Sequence, residues 1–494
     1  MTPFSRAAAA PPVPRPGESL PGGSAPLAAA PAFTDGRPSR LAPHILRASL
    51  RASHAEGMSA ELFNACIGGA VMTAWALHLG ASTLVIGLLG ALPLAAQVLQ
   101  LPAAWLTHRL GYRRVAITAI TASRLVWLPL AGLPLVELAA PTRLQLYVSI
   151  FALAAVLGVV GNNAWTSWMG DLVPGSIRGR FFSRRTVYLS LAGTTASLAA
   201  GVLLDACVPR GWKEQTLASL VVVAAGVAVV SVVLLLRQAD PSEGRTDPAW
   251  EWSGLTAPLR DAAARPFLCY LLAWNAAVGL AASFFSLHML QTLATGFALA
   301  AAHGVAVALV RIASAPLWGR MVDRFGGRPV LQVCSVGIGF VPAIWLFATP
   351  DRLWPLAIEA ALAGALWGGH GIAAMDLTLG LSPRPQRAFY VAVFAAGGGV
   401  GFAVASVLAG ALAWRLPTEL VLLGQPWTSL HVLFLVSSLA RAVAAVLAWR
   451  IAERDARTAG QVLRALPGEL VRVLGSPVGP PRRPWRRPSH TATS

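Results

Sequence analysis

The chain has 494 residues, of which 55% are hydrophobic and only 12% charged. A water-soluble domain carries about a quarter charged residues, so this composition excludes an ordinary soluble protein and makes lipid the solvent for most of the chain. The net charge of +18 sits in short basic clusters between apolar runs, not in a stripe interleaved with aromatics, which argues against a nucleic-acid partner and fits basic loops on one face of a membrane.

Residues 1–57 are rich in Ala and Pro, show no apolar core before a cleavage site, and are expected to form a disordered cytoplasmic tail. Apolar runs of about 20 residues, enough to cross the hydrocarbon, follow near 60–80, 82–106, 115–136, 144–169, 186–207 and 216–236. A polar stretch over 237–265, rich in Asp, Glu, Arg, Pro and Trp, reads as a cytoplasmic linker. Six more runs lie near 266–290, 296–319, 330–348, 353–378, 388–414 and 428–450. The expected organisation is therefore an N-terminal six-helix half over 58–236, a C-terminal six-helix half over 266–450, and a basic Pro/Arg-rich cytoplasmic tail over 451–494. That tail holds a weak amphipathic helix around Ala459 to Leu474, interrupted at Pro467, and ends in an arginine cluster suited to anionic headgroups.

Basic residues fix orientation, because basic loops resist translocation. The side holding both tails carries 31 of the 39 Arg and Lys, the other side only Arg143, Arg210, Lys213, Arg352 and Arg415. Both termini are thus expected in the cytoplasm, with the protein in the cell (inner) membrane. Cys66, Cys207, Cys269 and Cys334 show no CxxC pair or His partner at metal spacing, so neither a disulfide framework nor a metal or other cofactor is expected.

The halves repeat each other. After the second run stands His108-Arg109-Leu110-Gly111-Tyr112-Arg113-Arg114-Val115, and after the eighth Asp323-Arg324-Phe325-Gly326-Gly327-Arg328-Pro329-Val330, at a constant offset of 215 residues. Here the chain resembles the major facilitator superfamily, whose loop between helices 2 and 3 reads roughly G-x-L-a-D-r-x-G-r-r. Gly319 to Arg328 match that pattern closely; the first copy has His108 in place of the acid and Ala104 in place of the leading glycine. A second echo pairs Asp171, before Arg178 and Arg180, with Asp376, before Arg387. Asp171 with Arg109 or Arg113, and Asp376 with Arg324 or Arg328, are the expected clasps, with Gly111 and Gly326 turning the chain.

The resemblance implies an all-α membrane protein of twelve helices in two pseudo-symmetric halves, acting as a monomeric secondary transporter of a small organic solute by alternating access. The breadth of the superfamily points to proton-coupled efflux as the form this would take. It further implies a cavity lined by helices 1, 4, 7 and 10. Polar groups on those spans are costly in lipid unless they face a cavity or each other, which marks Asn64, Asn162, Asn163, Asn275 and His370. Arg311 on helix 8 joins them as a cation able to face the cavity, and Glu359, read as the one carboxylate well inside a span, as the proton carrier. Two alternatives stand beside the transporter: a sensor or assembly partner of the same fold, and a membrane enzyme. The short external loops, poor in clustered acids, speak against an enzyme.

Overall fold

The structure is a computed structural model that describes residues 41–241, 256–383, 387–417, 420–422, 425–453 and 456–475. Eleven helices are long and apolar enough to cross a membrane, and a shorter apolar helix over Thr83–Leu99 runs on through Gln100–Leu110. In chain order the membrane helices are α1 (Pro43–His78), α2 (Thr83–Leu99 with its continuation), α3 (Tyr112–Leu135), α4 (Ala140–Leu172), α5 (Gly175–Cys207) and α6 (Lys213–Leu236). The second set is α7 (Arg265–Thr292), α8 (Gly296–Phe325), α9 (Gly327–Phe347), α10 (Trp354–Gly380), α11 (Arg387–Arg415) and α12 (Ser429–Arg450). A short hairpin, β1 (Leu420–Leu422) against β2 (Gln425–Trp427), joins α11 to α12. A final helix, α13 (Ala459–Gly475), follows. Twelve crossings place both ends of the described chain on one face of this polytopic protein, here the terminal face; the opposite one is the far face.

One boundary differs from the sequence reading. Helix α1 starts at Pro43, well before residue 58, and takes in Arg47, Arg51, His54 and Glu56. Hydropathy hides this polar start because its polar groups are satisfied inside the bundle: Ser49, Ser53 and Glu56 are all buried. Residues 1–40, 242–255 and 476–494 of the expected tails and linker lie outside the described residues.

The sequence repeat becomes a structural one. Gly111 (φ 87°) and Gly326 (φ 95°) each end one helix and cap the next, a left-handed backbone that a Cβ would strain. Within the N-terminal half α1 packs on α5 and α6, and α3 on α4; within the C-terminal half α7 packs on α11 and α12, and α10 on α8 and α9. Two pairs make the largest contacts between halves: α2 with α11, and α5 with α8.

Those crossings depend on small residues. A Cβ on Gly201 would lie 2.8 Å from the Phe297 carbonyl oxygen, one on Gly399 2.4 Å from that of Leu94, and one on Gly410 2.7 Å from that of Thr83. Backbones approach so closely only where side chains are absent. Hydrogen bonds reinforce the seam: Thr83 Oγ1 donates to the Gly410 carbonyl at 3.3 Å, and Ser406 Oγ to that of Gly87 at 2.9 Å.

Apolar packing differs between the two faces. Toward the far face a single buried cluster takes residues from both halves, with Trp75, Leu79 and Ile86 on one side and Phe284, Trp345 and Phe434 on the other. Toward the terminal face there are two clusters, one per half: Trp168, Met169 and Leu235 in the first, Phe267, Met321 and Tyr390 in the second. The halves are therefore joined at the far face and parted at the terminal face.

The chain after α12 straps the α8–α9 turn. Glu453 accepts the backbone N–H groups of Gly327 (3.0 Å) and Arg328 (2.8 Å), capping α9 where its partial charge is positive. Glu469 on α13 accepts from Arg324 at 2.8 Å, and Val462 is fully buried. The Asp376 clasp is thereby corrected: Arg324 is taken by Glu469, and the Arg328 guanidinium reaches the Ile451 carbonyl. In the first half Arg113 donates to the Leu236 carbonyl at 2.9 Å and Arg109 lies over the Trp105 ring. Asp323 is exposed, and Gly319 lies mid-helix in open space. Before α7, Tyr390 Oη donates to Asp261 at 2.8 Å, and this bond holds the Asp261 carboxyl below its ordinary value.

Candidate functional site

Helix α1 is broken in its middle. It stops at Ile67, restarts at Gly69, and passes through Gly68 in an extended conformation with Gly69 at φ 54°. Irregular backbone at membrane depth is tolerated where it lines a cavity, and two adjoining cavities open at this point. One, of ≈ 590 Å³, lies between α1, α5 and α8; the other, of ≈ 600 Å³, reaches into the N-terminal half toward Trp127, Phe151 and Asn162. Both are lined by Glu61, Asn64, Gly68 and Gly69. Each falls in the size range of small-molecule sites.

Two carboxylates on α1 serve different ends. Glu56 is buried and receives Arg124 at 3.0 Å from α3, Arg185 at 3.3 Å from α5, and the Ser231 hydroxyl at 3.0 Å from α6; Arg124 also bonds Ser231. One carboxylate thus ties four helices together with its charge compensated. Arg185 further lies over the Trp165 ring, 4.4 Å from its centre. Glu61, just over one turn along α1, lines both cavities, and among the described residues no hydrogen bond or ion pair reaches it. Its carboxylate lies over Gly193 of α5.

Across the cavity, α8 presents Ala301, Gly304, Val305 and Ala308. Arg311 continues that face by one helical turn, is exposed, and has no acid within ion-pair distance among the described residues. A lipid-facing position for a mid-helix arginine costs about 2.5–3.5 kcal/mol, so the cavity is its favourable outlet.

The remaining sequence candidates divide. Asn64 and Asn162 line the cavities. Asn163 reaches the Gln100 carbonyl at 3.5 Å, and Asn275 donates to Leu271 while packing on Gly398 of α11; both serve helix contacts. His370 stands away from the cavities. It is buried, bonded to Tyr270 Oη at 2.8 Å, and stacked on Trp274. Glu359 is buried nearer the far face, where it meets His303 Nε2 at 2.6 Å. The buried Arg441 of α12 is within its electrostatic reach. It is not the only acid inside a span, since Glu56 and Glu61 both belong to α1.

The far-face seam holds one group that the sequence reading passed over. Asp205, near the end of α5, accepts the backbone N–H groups of Phe297 (2.7 Å) and Ala298 (2.8 Å) at the start of α8. It caps a helix of the other half, and Gly201 one turn before it provides the close approach. Glu56, Arg185 and Glu453 fell outside the expected spans and were not singled out, and Glu61, like Asp205, read as an acid near a span end.

Known proteins set this arrangement in context. The model of the Major Facilitator Superfamily matches residues 57–310 and 267–487. The tetracycline resistance protein, class H, of Pasteurella multocida is 29% identical over 117 residues, 23% of this chain and 28% of that protein. Major facilitator superfamily domain-containing protein 10 of Mus musculus is 29% identical over 136 residues, 28% of this chain and 27% of that one. The matched segments thus span little over a quarter of these relatives. Among solved structures, the nucleoside transporter NupG superposes with a TM-score of 0.60 at 13% identity, covering 82% of this chain and 98% of that one. The D-xylose-proton symporter gives 0.62 at 13% identity, covering 83% and 99%. At such identities the likeness is one of fold.

Proposed function

The chain belongs to the Major Facilitator Superfamily, and on that premise we propose that it is a secondary transporter that moves a small organic solute by alternating access. The observation that carries this reading is the asymmetry of the two faces: a polar-lined cavity between halves that are sealed together at the far face and parted at the terminal face. That is one of the two states the mechanism requires. The basic-residue bias puts the terminal face in the cytoplasm of a cell (inner) membrane, so the cavity is open inward. Export is the direction of this reading. The protein works as a monomer, with α13 lying against anionic headgroups.

In this reading the proton is carried by Glu359 with His303. The pair lies nearer the far face and is shut from water while that face is sealed. Opening the far face would let the pair load a proton from outside, with Arg441 of α12 setting the local charge. The test is flux in proteoliposomes with an imposed pH gradient, over a panel of amphiphilic drugs, sugars, organic anions and amino acids. Gradient-driven movement of a panel member is expected, and Glu359→Gln is expected to abolish its dependence on the gradient. A folded, oriented protein that moves nothing would favour the sensor or assembly-partner reading.

A further inference from the structure

Two charged residues flank one cavity from opposite halves. Glu61 of α1 lines it from the N-terminal half, and Arg311 of α8 continues its lining from the C-terminal half. Neither has an ionic partner among the described residues. Of the other charges nearby, Arg124 and Arg185 share Glu56, Arg185 also lies within electrostatic reach of Glu61, and Glu359 holds His303.

We propose that the cavity binds a dipolar solute, with an ammonium or similar cationic group against Glu61 and a carboxylate or similar anionic group against Arg311. This assignment rests on the transporter reading and names its substrate class. A ligand bearing both signs meets both groups in one step. Because each charge belongs to a different half, such a ligand also bridges the halves when they close, which couples occupancy to rocking. Asn64 on α1 and the hydroxyls of Ser190 and Thr194 on α5 add neutral hydrogen-bonding groups between the two poles. The volume, ≈ 590 Å³, admits solutes from a single amino acid to a short peptide.

The test uses a panel of α-amino acids and dipeptides, each beside its N-acetyl and its C-terminal amide derivative. Binding to the full-length protein is read as thermal stabilisation, and transport as flux. At least one parent zwitterion is expected to bind, with a loss of tenfold or more on removing either charge. Glu61→Gln is expected to erase the difference between parent and N-acetyl form, and Arg311→Gln that between parent and amide. Equal binding of all three forms, discrimination that survives both variants, or no binding of any zwitterion would overturn the assignment. So would rescue of the single variants by the exchanged pair, Glu61→Arg with Arg311→Glu, without any ligand discrimination, because the two charges would then serve each other. Flux of uncharged or singly charged solutes without any zwitterion would overturn this assignment and leave transport standing. Absence of all flux would count against transport itself.

Discussion

The far face and the terminal face of this protein are built from the same twelve helices but held together differently. At the far face one apolar cluster, glycine-mediated crossings and the Asp205 cap on α8 bind half to half. At the terminal face each half is closed on itself: the N-terminal half by Glu56 with its two arginines, the C-terminal half by Glu453 and Glu469 on the α8–α9 turn. Strong contacts within halves make rigid bodies; the contacts between halves are the ones that must break and re-form. A rocking mechanism needs that division of labour.

The comparison breaks most severely at Glu56. Glu56→Gln leaves Arg124 and Arg185 buried with a neutral partner, and removal of one member of a buried pair costs about 3–5 kcal/mol. A lowered melting temperature in detergent is expected, with intact protein required to exclude an effect on synthesis. No change in melting would mean that this cluster does not hold the half together.

Asp205→Ala acts between halves instead. It removes two charge-assisted hydrogen bonds, each worth about 1.5–3 kcal/mol, and should shift the population toward a state open at the far face without lowering the melting temperature comparably. Spin labels placed across the far ends of α5 and α8 would read this as a longer distance. An unchanged distance distribution would mean that the apolar cluster alone seals that face.

Glu453→Gln weakens the cap on α9, at a cost of about 1 kcal/mol, and should free the segment from Glu453 to α13. Faster hydrogen exchange in α13 with an unchanged far face is the expected signature. The smallest effect belongs to pH. Asp261 has its carboxyl value lowered by the Tyr390 hydroxyl, so its contribution is present above the unfolded carboxyl value and is lost as pH falls through the lower folded one. Exchange at the α11 start should rise only at that acid end, and Tyr390→Phe should remove the dependence.

Much of the fold was legible in the sequence because hydropathy and charge placement answer to a solvent, and the solvent here is lipid. Twelve runs and the repeated turn with Gly111 and Gly326 follow from that constraint. The site was less legible. Asn64, Asn162 and Arg311 were marked as polar groups needing an outlet, and all three lie on or along the cavity. His370, Asn163 and Asn275 carried the same signal but find their partners within the bundle. A polar residue in a span announces that it needs a partner, not which one.

The sequence by itself determined that the chain crosses the membrane in two repeated sets of six, since each span needs its own apolar length and each turn its own glycine or charge. Only the tertiary structure decided that α1 begins at Pro43, that Glu56 is spent on two arginines while Glu61 is left to the cavity, and that Asp205 ties the halves. The reason is physical: burial of a charge depends on what other helices bring to it, and Arg124, Arg185 and Ser231 reach Glu56 from 68 to 175 residues away along the chain.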